Sequence, residues 1–120
     1  MLAAPHRLRA HSDFEAAVRG GQRAGRPLLT LHQLRPATAG GAVLGPPRVG
    51  LVVSKAVGPS VVRHRVARRL RHLMRDRIGV LAAGAVLVVR AAPAPATASS
   101  PALAADLDAA LRRLSRQGAR

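Results

Sequence analysis

Across residues 61–77, VVRHRVARRLRHLMRDR, seven arginines occupy seventeen positions. His64, Arg68, Arg71 and Arg75 recur at i, i+4, i+7 and i+11, which on a helix makes one narrow stripe, with Arg65, Arg69 and His72 beside it. A guanidinium fork binds phosphate oxygens bidentately, so the chemistry open to this pattern is the gripping of a polyanion. Stacked like charges weaken an isolated helix by about 0.2–0.5 kcal/mol per pair, and Asp76 alone lies close enough in sequence to relieve them. A solvated basic face is the bland alternative. The excess of arginine over acid argues instead for a surface that meets phosphate.

Bond-making chemistry has less to stand on. The five carboxylates, Asp13, Glu15, Asp76, Asp106 and Asp108, fall in three predicted helices and form no convincing acid–base pair. His6, His11, His32, His64 and His72 show neither HxxxH nor HxH spacing, so no metal ligands are expected, and there is no GxxxxGK[ST] loop for a nucleotide phosphate. No cysteine is present, which removes a thiolate nucleophile, a zinc ribbon and a disulfide framework, and fits a reducing compartment. With one Phe and no Tyr or Trp, the stacking platform of the usual single-strand readers is missing. Backbone and shape recognition of structured RNA or DNA remains, with no catalytic side chain expected.

The whole chain has the same bias: 20 basic residues against 5 acidic ones, a net charge of +15. Such a field points to a polyanionic partner. Arginine dominance by itself is weak, because Lys55 is the sole lysine and an alanine- and arginine-rich composition can also reflect G+C-rich coding. A length of 120 residues, 33 of them Val, Leu, Ile, Met or Phe, suits a single domain over 1–120 with one modest core. The longest uncharged apolar run, Ile78 to Val89, has twelve residues where a membrane-spanning helix needs about 20. The amino-terminal MLAAPHRLRAHSDF has Pro, His and Arg where a signal peptide needs an apolar run. A cytoplasmic protein without a membrane partner is therefore expected.

The elements that must position the arginines follow from periodicity. SDFE has the form of a capping box, predicting a short helix from Asp13 with Phe14, Ala17 and Val18 on one face and Gly20 and Gly21 as its stop. PLLTLHQL (Pro27–Leu34) and RVGLVVSK (Arg48–Lys55) read as strands around a Gly/Pro loop, RPATAGGAVLGPP. In the second, Val49, Leu51 and Val53 face one side and Gly50, Val52 and Ser54 the other. Gly58 and Pro59 then open the arginine-rich helix, predicted to run to about Ile78, with Val62, Val66, Leu70, Leu73 and Met74 as its core face. AVLVVR after Gly84 is the near-continuous apolar run of a central strand. Beyond the APAPATASSP linker, Leu103, Leu107, Leu111 and Leu114 stripe a last helix, whose Asp106 and Asp108 come early and whose Arg112, Arg113 and Arg116 come late, as the helix dipole favours. The order suggests an α+β sandwich, with the strand after the basic helix parallel to RVGLVVSK in a β-α-β unit.

RVGLVVSKAVGPSVVRHRVARRLRHLMRD resembles the signature region of the bacterial ribonuclease P protein family, commonly R-V-G-x-x-V-S-K-K-x-G-x-A-V-x-R-N-R-x-K-R-x-x-R. Arg48, Val49, Gly50, Val53, Ser54, Lys55, Gly58, Val61, Arg63, Arg65, Arg68 and Arg71 match it; His64 stands for Asn, Ala67 and Ala56 for Lys, and Pro59 for a polar residue. RLRAHSDFEAAVRGG is similar to the family's R-L-x-x-x-x-D-F-x-x-V-F-x-x-G at Arg7, Leu8, Asp13, Phe14 and Gly21, and VLVVRAAPA to its later strand ending in Arg.

The resemblance implies a two-layer α/β sandwich of order α-β-β(-β)-α-β-α, like domain 2 of ribosomal protein S5. Its β-α-β crossover would be left-handed, against the usual rule. It also implies a subunit of a ribonucleoprotein that removes the 5′ leader of precursor tRNA. One protein would join one catalytic RNA, which performs the hydrolysis with Mg²⁺ held mainly by RNA. On that pattern Arg63, His64, Arg65, Arg68, Arg69 and Arg71 would contact the catalytic RNA, His64 as neutral imidazole in place of Asn. Phe14, Val18, His32, Ser54, Lys55 and Arg90 would line or rim the leader cleft, although Phe14 also suits a core anchor, Ser54 an ordinary strand position, and Lys55 and Arg90 solvated strand ends. Val18 occupies the usual place of a second aromatic, and His32 one where some members carry Tyr. A basic RNA-binding protein of the ribosome or nucleoid is the alternative, which the ordered SK…G…RHR…RR block disfavours. A protein-only nuclease lacks the clustered carboxylates it would need.

Overall fold

The computed structural model describes residues 8, 11–34, 38–39, 42–43, 45–82, 84–93 and 98–118. Its elements are α1 (His11–Gly20), β1 (Gln22–Gly25), β2 (Leu29–Leu34), β3 (Thr38–Ala39), β4 (Ala42–Val43), β5 (Arg48–Val52), α2 (Ser60–Arg75), β6 (Val86–Ala91) and α3 (Ser100–Gly118). Four strands form one mixed sheet in the order β1-β2-β6-β5, antiparallel except for the parallel β5–β6 pair. The expected α+β sandwich and β-α-β unit are thus present, with α2 as the crossover.

Alternation along the strands sorts the side chains into two layers. On one face, Leu29, Leu31, Val49, Leu87 and Val89 meet Val66, Leu70 and Met74 of α2 and Leu103, Leu107, Ala110 and Leu114 of α3 in the larger core. On the other, Val86 and Val88 pack with Leu8 and Ala17, and Phe14 and Val52 lean on that smaller cluster. β6, apolar at nearly every position, is buried on both faces, as its sequence predicts.

The hand of the crossover follows from one hydrogen bond. The Arg48 N–H donates to the Ala85 carbonyl at 2.9 Å, so Arg48 and, by alternation, Gly50 and Val52 aim their backbone groups at β6. In an extended L-chain running upward, a residue whose side chain faces the viewer points its N–H and C=O to the right. Gly50 and Val52 face the α1 layer, so β6 lies right of β5 from that side and left of it from the α2 side. A connection passing through α2 is therefore left-handed, the rare hand.

Several boundaries differ from expectation. α1 begins at His11, ahead of Asp13, which puts Ser12 inside the helix instead of before it. β1 was not expected: QRAG has a single buried residue, Ala24, and no alternation to betray a strand that exists by pairing with β2. The predicted Gly/Pro loop contains a two-residue pairing of β3 with β4, flanking a Gly–Gly pair of the kind that favours tight hairpins. α2 ends at Arg75, and Ile78–Val80 form a separate 3₁₀ turn. Of the Ala/Pro linker, residues 94–97 lie outside the described residues.

Acid–base pairs tie α3 to the sheet and to α2. Asp106 of α3, buried, accepts from the Leu28 N–H at 2.9 Å and from Arg26 at 3.3 Å, closing the β1–β2 connection onto the helix. Asp108 takes both prongs of Arg77, at 2.6 and 3.2 Å, while Arg77 also donates to the Leu73 carbonyl at the end of α2. The sequence reading gave these acids to the helix dipole; in the fold they are partners of specific arginines.

Candidate nucleic-acid interface

α2 is divided as its periodicity requires. Val66, Leu70 and Met74 are buried, Val62 and Leu73 half-buried, and His64, Arg65, Arg68, His72 and Arg75 are exposed on the opposite side. Pro59 caps the helix with extended backbone, and the first turn carries no acid. The one acid close to the stripe, Asp76, is exposed and only 3.9 Å from Arg75, a surface pair of the kind that contributes little. The exposed arginines thus present their donors to solvent at helical spacing.

The six residues expected to meet RNA do not form one flat row. His64, Arg65 and Arg68 stand on the outer side, and Arg71 is half-buried on its flank. Arg69, also half-buried, turns toward α3 and donates to the Ala98 carbonyl at 3.1 Å, so part of its guanidinium serves the protein itself. Arg63 is half-buried, and its Nε is buried without a hydrogen-bond partner among the described residues. An unsatisfied buried donor costs about 1–3 kcal/mol.

A second feature lies across the sheet. Between α1 and the β5–β6 end is a cavity of about 310 Å³ lined by Phe14, Glu15, Val18, Arg19, Val52, Val88 and Arg90. Its floor is apolar strand surface and its rim is charged. Phe14 lies flat enough on β5 that a Cβ at Gly50 would overlap its ring, so the glycine is what lets the aromatic reach the floor. Gly21 does the same for the chain: a Cβ there would sit 2.5 Å from the carbonyl oxygens of Ala17 and Gln33, where α1 meets β2.

Of the expected cleft residues, Phe14, Val18 and Arg90 line this cavity, and Val18 is 40% exposed. Arg90 pairs across from Val52 and Thr30, at the end of β6 beside the exit of β5, where Ser54 and Lys55 are exposed. These two stand at that end of the sheet without lining the cavity. His32 shares the face, opposite Val88 and Arg23, but is buried. Burial, with the nearby Arg23 and Arg90 cations, pushes its imidazole below the ordinary value, so it is neutral at pH 7. Val52 and Val88 line the cavity too and were missing from the expectation, which put Val52 on one face of β5 without showing that this face meets α1. Glu15 and Arg19 follow one and five positions after Phe14 on α1.

Among the described residues, no group of three or more His, Asp and Glu is placed to hold a metal ion, and no helix is long and apolar enough to cross a membrane.

This arrangement, a basic crossover helix behind a sheet with an apolar cleft in front, has close parallels in known proteins. The family model for Ribonuclease P matches residues 2–115. The chain belongs to the ribonuclease P protein family. Ribonuclease P protein components from Streptomyces avermitilis and Rhodococcus jostii are similar to it throughout. The first is 55% identical over 100% of both chains, the second 56% identical over 95% of this chain and 92% of the relative. The fold is shared further afield. The ribonuclease P protein of Thermotoga maritima superposes with a TM-score of 0.74 at 21% identity, covering 89% of this chain and 96% of that one. A mutant of the Staphylococcus aureus RNase P protein gives 0.76 at 17%, covering 92% and 88%. As a ribonuclease P protein, the chain is a subunit of a ribonucleoprotein endoribonuclease of tRNA processing.

Proposed function

We propose that the outer side of α2 grips the catalytic RNA of ribonuclease P, that the cavity between α1 and the sheet receives the 5′ leader of precursor tRNA, and that RNA, not a protein side chain, breaks the phosphodiester bond. The observation that carries this reading is the division of α2: one face fills the core with Val66, Leu70 and Met74, while the other offers Arg65, Arg68 and Arg75 with Asp76 as the one acid paired to them among the described residues. Arg63, with its unsatisfied Nε, fits the same role, since residues that break local rules cluster at functional sites. The cavity's apolar floor and its Arg19 and Arg90 rim suit bases below and phosphates above, and the neutral His32 behind it adds no like charge to that rim.

Among the described residues the acids do not gather into a site for a resident divalent ion. Asp106 and Asp108 are engaged by arginines, and Asp76 stands without a second carboxylate beside it among the described residues. We therefore assign the Mg²⁺ of the reaction to RNA phosphates, with one protein joining one RNA in the cytoplasm.

The test combines the purified chain, a bacterial ribonuclease P RNA and labelled precursor tRNA at low Mg²⁺. The chain should stimulate leader removal, and replacing Arg63, Arg65 and Arg68 with Ala should weaken binding to the RNA and flatten its log–log salt dependence by about 0.7–0.9 per lost phosphate contact. No stimulation where a known subunit stimulates, or cleavage by the protein alone, would overturn the assignment. An unchanged slope would return α2 to an ordinary solvated face.

A further inference from the structure

α2 and α3 lie side by side on one face of the sheet and run in the same direction. Arg69, past the middle of α2, reaches the Ala98 carbonyl just ahead of α3, and Arg77, just past the end of α2, meets Asp108 midway along α3. α3 continues from Asp108 to Gly118, past the point where α2 has stopped at Arg75. At 1.5 Å per residue, Arg112 and Arg116 stand roughly 6 and 12 Å beyond that contact.

Arg112, Arg113 and Arg116 are all exposed, and they fall within about 100° of one another on the side of α3 away from Leu103, Leu107, Ala110 and Leu114. The helix dipole accounts for only part of this. Its influence fades within the last turn, where Arg116 alone lies. Arg112–Arg116 and Arg113–Arg116 are like-charge pairs at i+4 and i+3, which weaken the helix. Asp108, four residues before Arg112, gives both its oxygens to Arg77, and among the described residues no acid pairs with Arg113 or Arg116. The Asp108 charge four residues earlier accounts for part of Arg112's placement, but folding gives no comparable reason for Arg113 or Arg116.

We propose that Arg112, Arg113 and Arg116 form a second phosphate-binding segment, continuing the basic track of α2 along α3 so that the catalytic RNA is held over both helices. This rests on the reading of α2 given above and extends it to a surface on the same side of the sheet, opposite the cleft. The Arg77–Asp108 pair fixes the register of the two segments.

The experiment measures binding of the full chain to ribonuclease P RNA across a salt series, with three variants beside the unsubstituted protein. Arg112→Ala/Arg113→Ala/Arg116→Ala should flatten the log–log slope by at least one contact's worth, about 0.7–0.9, and the matching triple Lys variant should keep the slope. Arg65→Ala/Arg68→Ala is the reference for α2. If it flattens the slope and the α3 alanine variant does not, the second segment is overturned while the first stands; if neither does, the reading of α2 itself fails. A slope lost equally in the Lys variant would trace the effect to helix disruption and overturn the charge assignment. A change seen with precursor tRNA alone, and not with the catalytic RNA, would overturn the choice of partner.

Discussion

At the scale of single residues, the site depends on what is missing as much as on what is present. Gly50 is buried on β5 beneath α1, where an added Cβ would overlap Phe14 and lie 3.0 Å from Leu8 Cδ2. A methyl group there must push the ring outward or spread α1 from the sheet. Overpacking of this kind costs about 1–3 kcal/mol. Gly50→Ala is thus expected to lower the urea midpoint without changing the m-value and, on the proposed role of the cavity, to weaken binding of the precursor's leader by moving the Phe14 ring that lines it. Adding Phe14→Leu should recover part of the stability, because the two changes share one contact and cannot be additive. An unchanged midpoint for Gly50→Ala would mean that α1 rides loosely on β5 and that the cavity is not a built feature.

At the scale of elements, α2, β5, β6 and α3 were legible because each carries its own period: i, i+4 on the helices, strict alternation on β5, an unbroken apolar run on β6. β1 was not, since Gln22–Gly25 buries only Ala24 and owes its strand to pairing with β2. Of the cleft, Phe14, Val18 and Arg90 came from likeness to a family pattern. Val52 and Val88 required knowing which strand faces share a layer, and His32 could not be seen to be buried. The clamps were equally hidden: local charge order explained Asp106 and Asp108 by the dipole, whereas their partners Arg26 and Arg77 lie 80 and 31 residues away. The α2–α3 clamp carries a pH signature. Its hydrogen bond to Arg77, with the nearby Arg77 and Arg112 charges, holds the Asp108 carboxyl below the usual value. A depressed carboxylate stabilises the fold above its unfolded pKa, near 4, and loses that contribution as pH falls through the folded value. Asp108 is 42% exposed, so solvent screening limits the pair to about 1 kcal/mol or less. Asp108→Asn should therefore destabilise the protein at neutral pH by that amount in urea unfolding, and the gap to the unsubstituted chain should close below about pH 4. A gap that persists undiminished in acid would show that packing, not charge, is what Asp108 supplies.

For the whole molecule, the net charge of +15 must act in opposite senses on folding and on binding. The free protein concentrates 20 cations and 5 acids on a 120-residue chain, and compaction brings like charges together. Salt screens that repulsion over a Debye length of about 8–10 Å, comparable to the spacing of exposed arginines along α2. Salt also weakens attractive pairs, but those that clamp the helices are sheltered from it. Arg26–Asp106 and Arg77–Asp108 are partly buried and screened less, and Arg75–Asp76 is already long. Repulsion therefore dominates the salt response of the fold, and raising NaCl from roughly 50 to 300 mM should raise the melting temperature by a few degrees. Binding to ribonuclease P RNA should move the other way over the same titration, losing affinity by orders of magnitude as released counterions cease to favour the complex. Chloride is the salt to use, because sulfate and phosphate would also strengthen apolar burial and confuse the sign. A melting temperature that falls with NaCl would show that the two clamps outweigh the repulsion of the arginines. The basic face would then be stabilised from within the protein, with no need of RNA to relieve it.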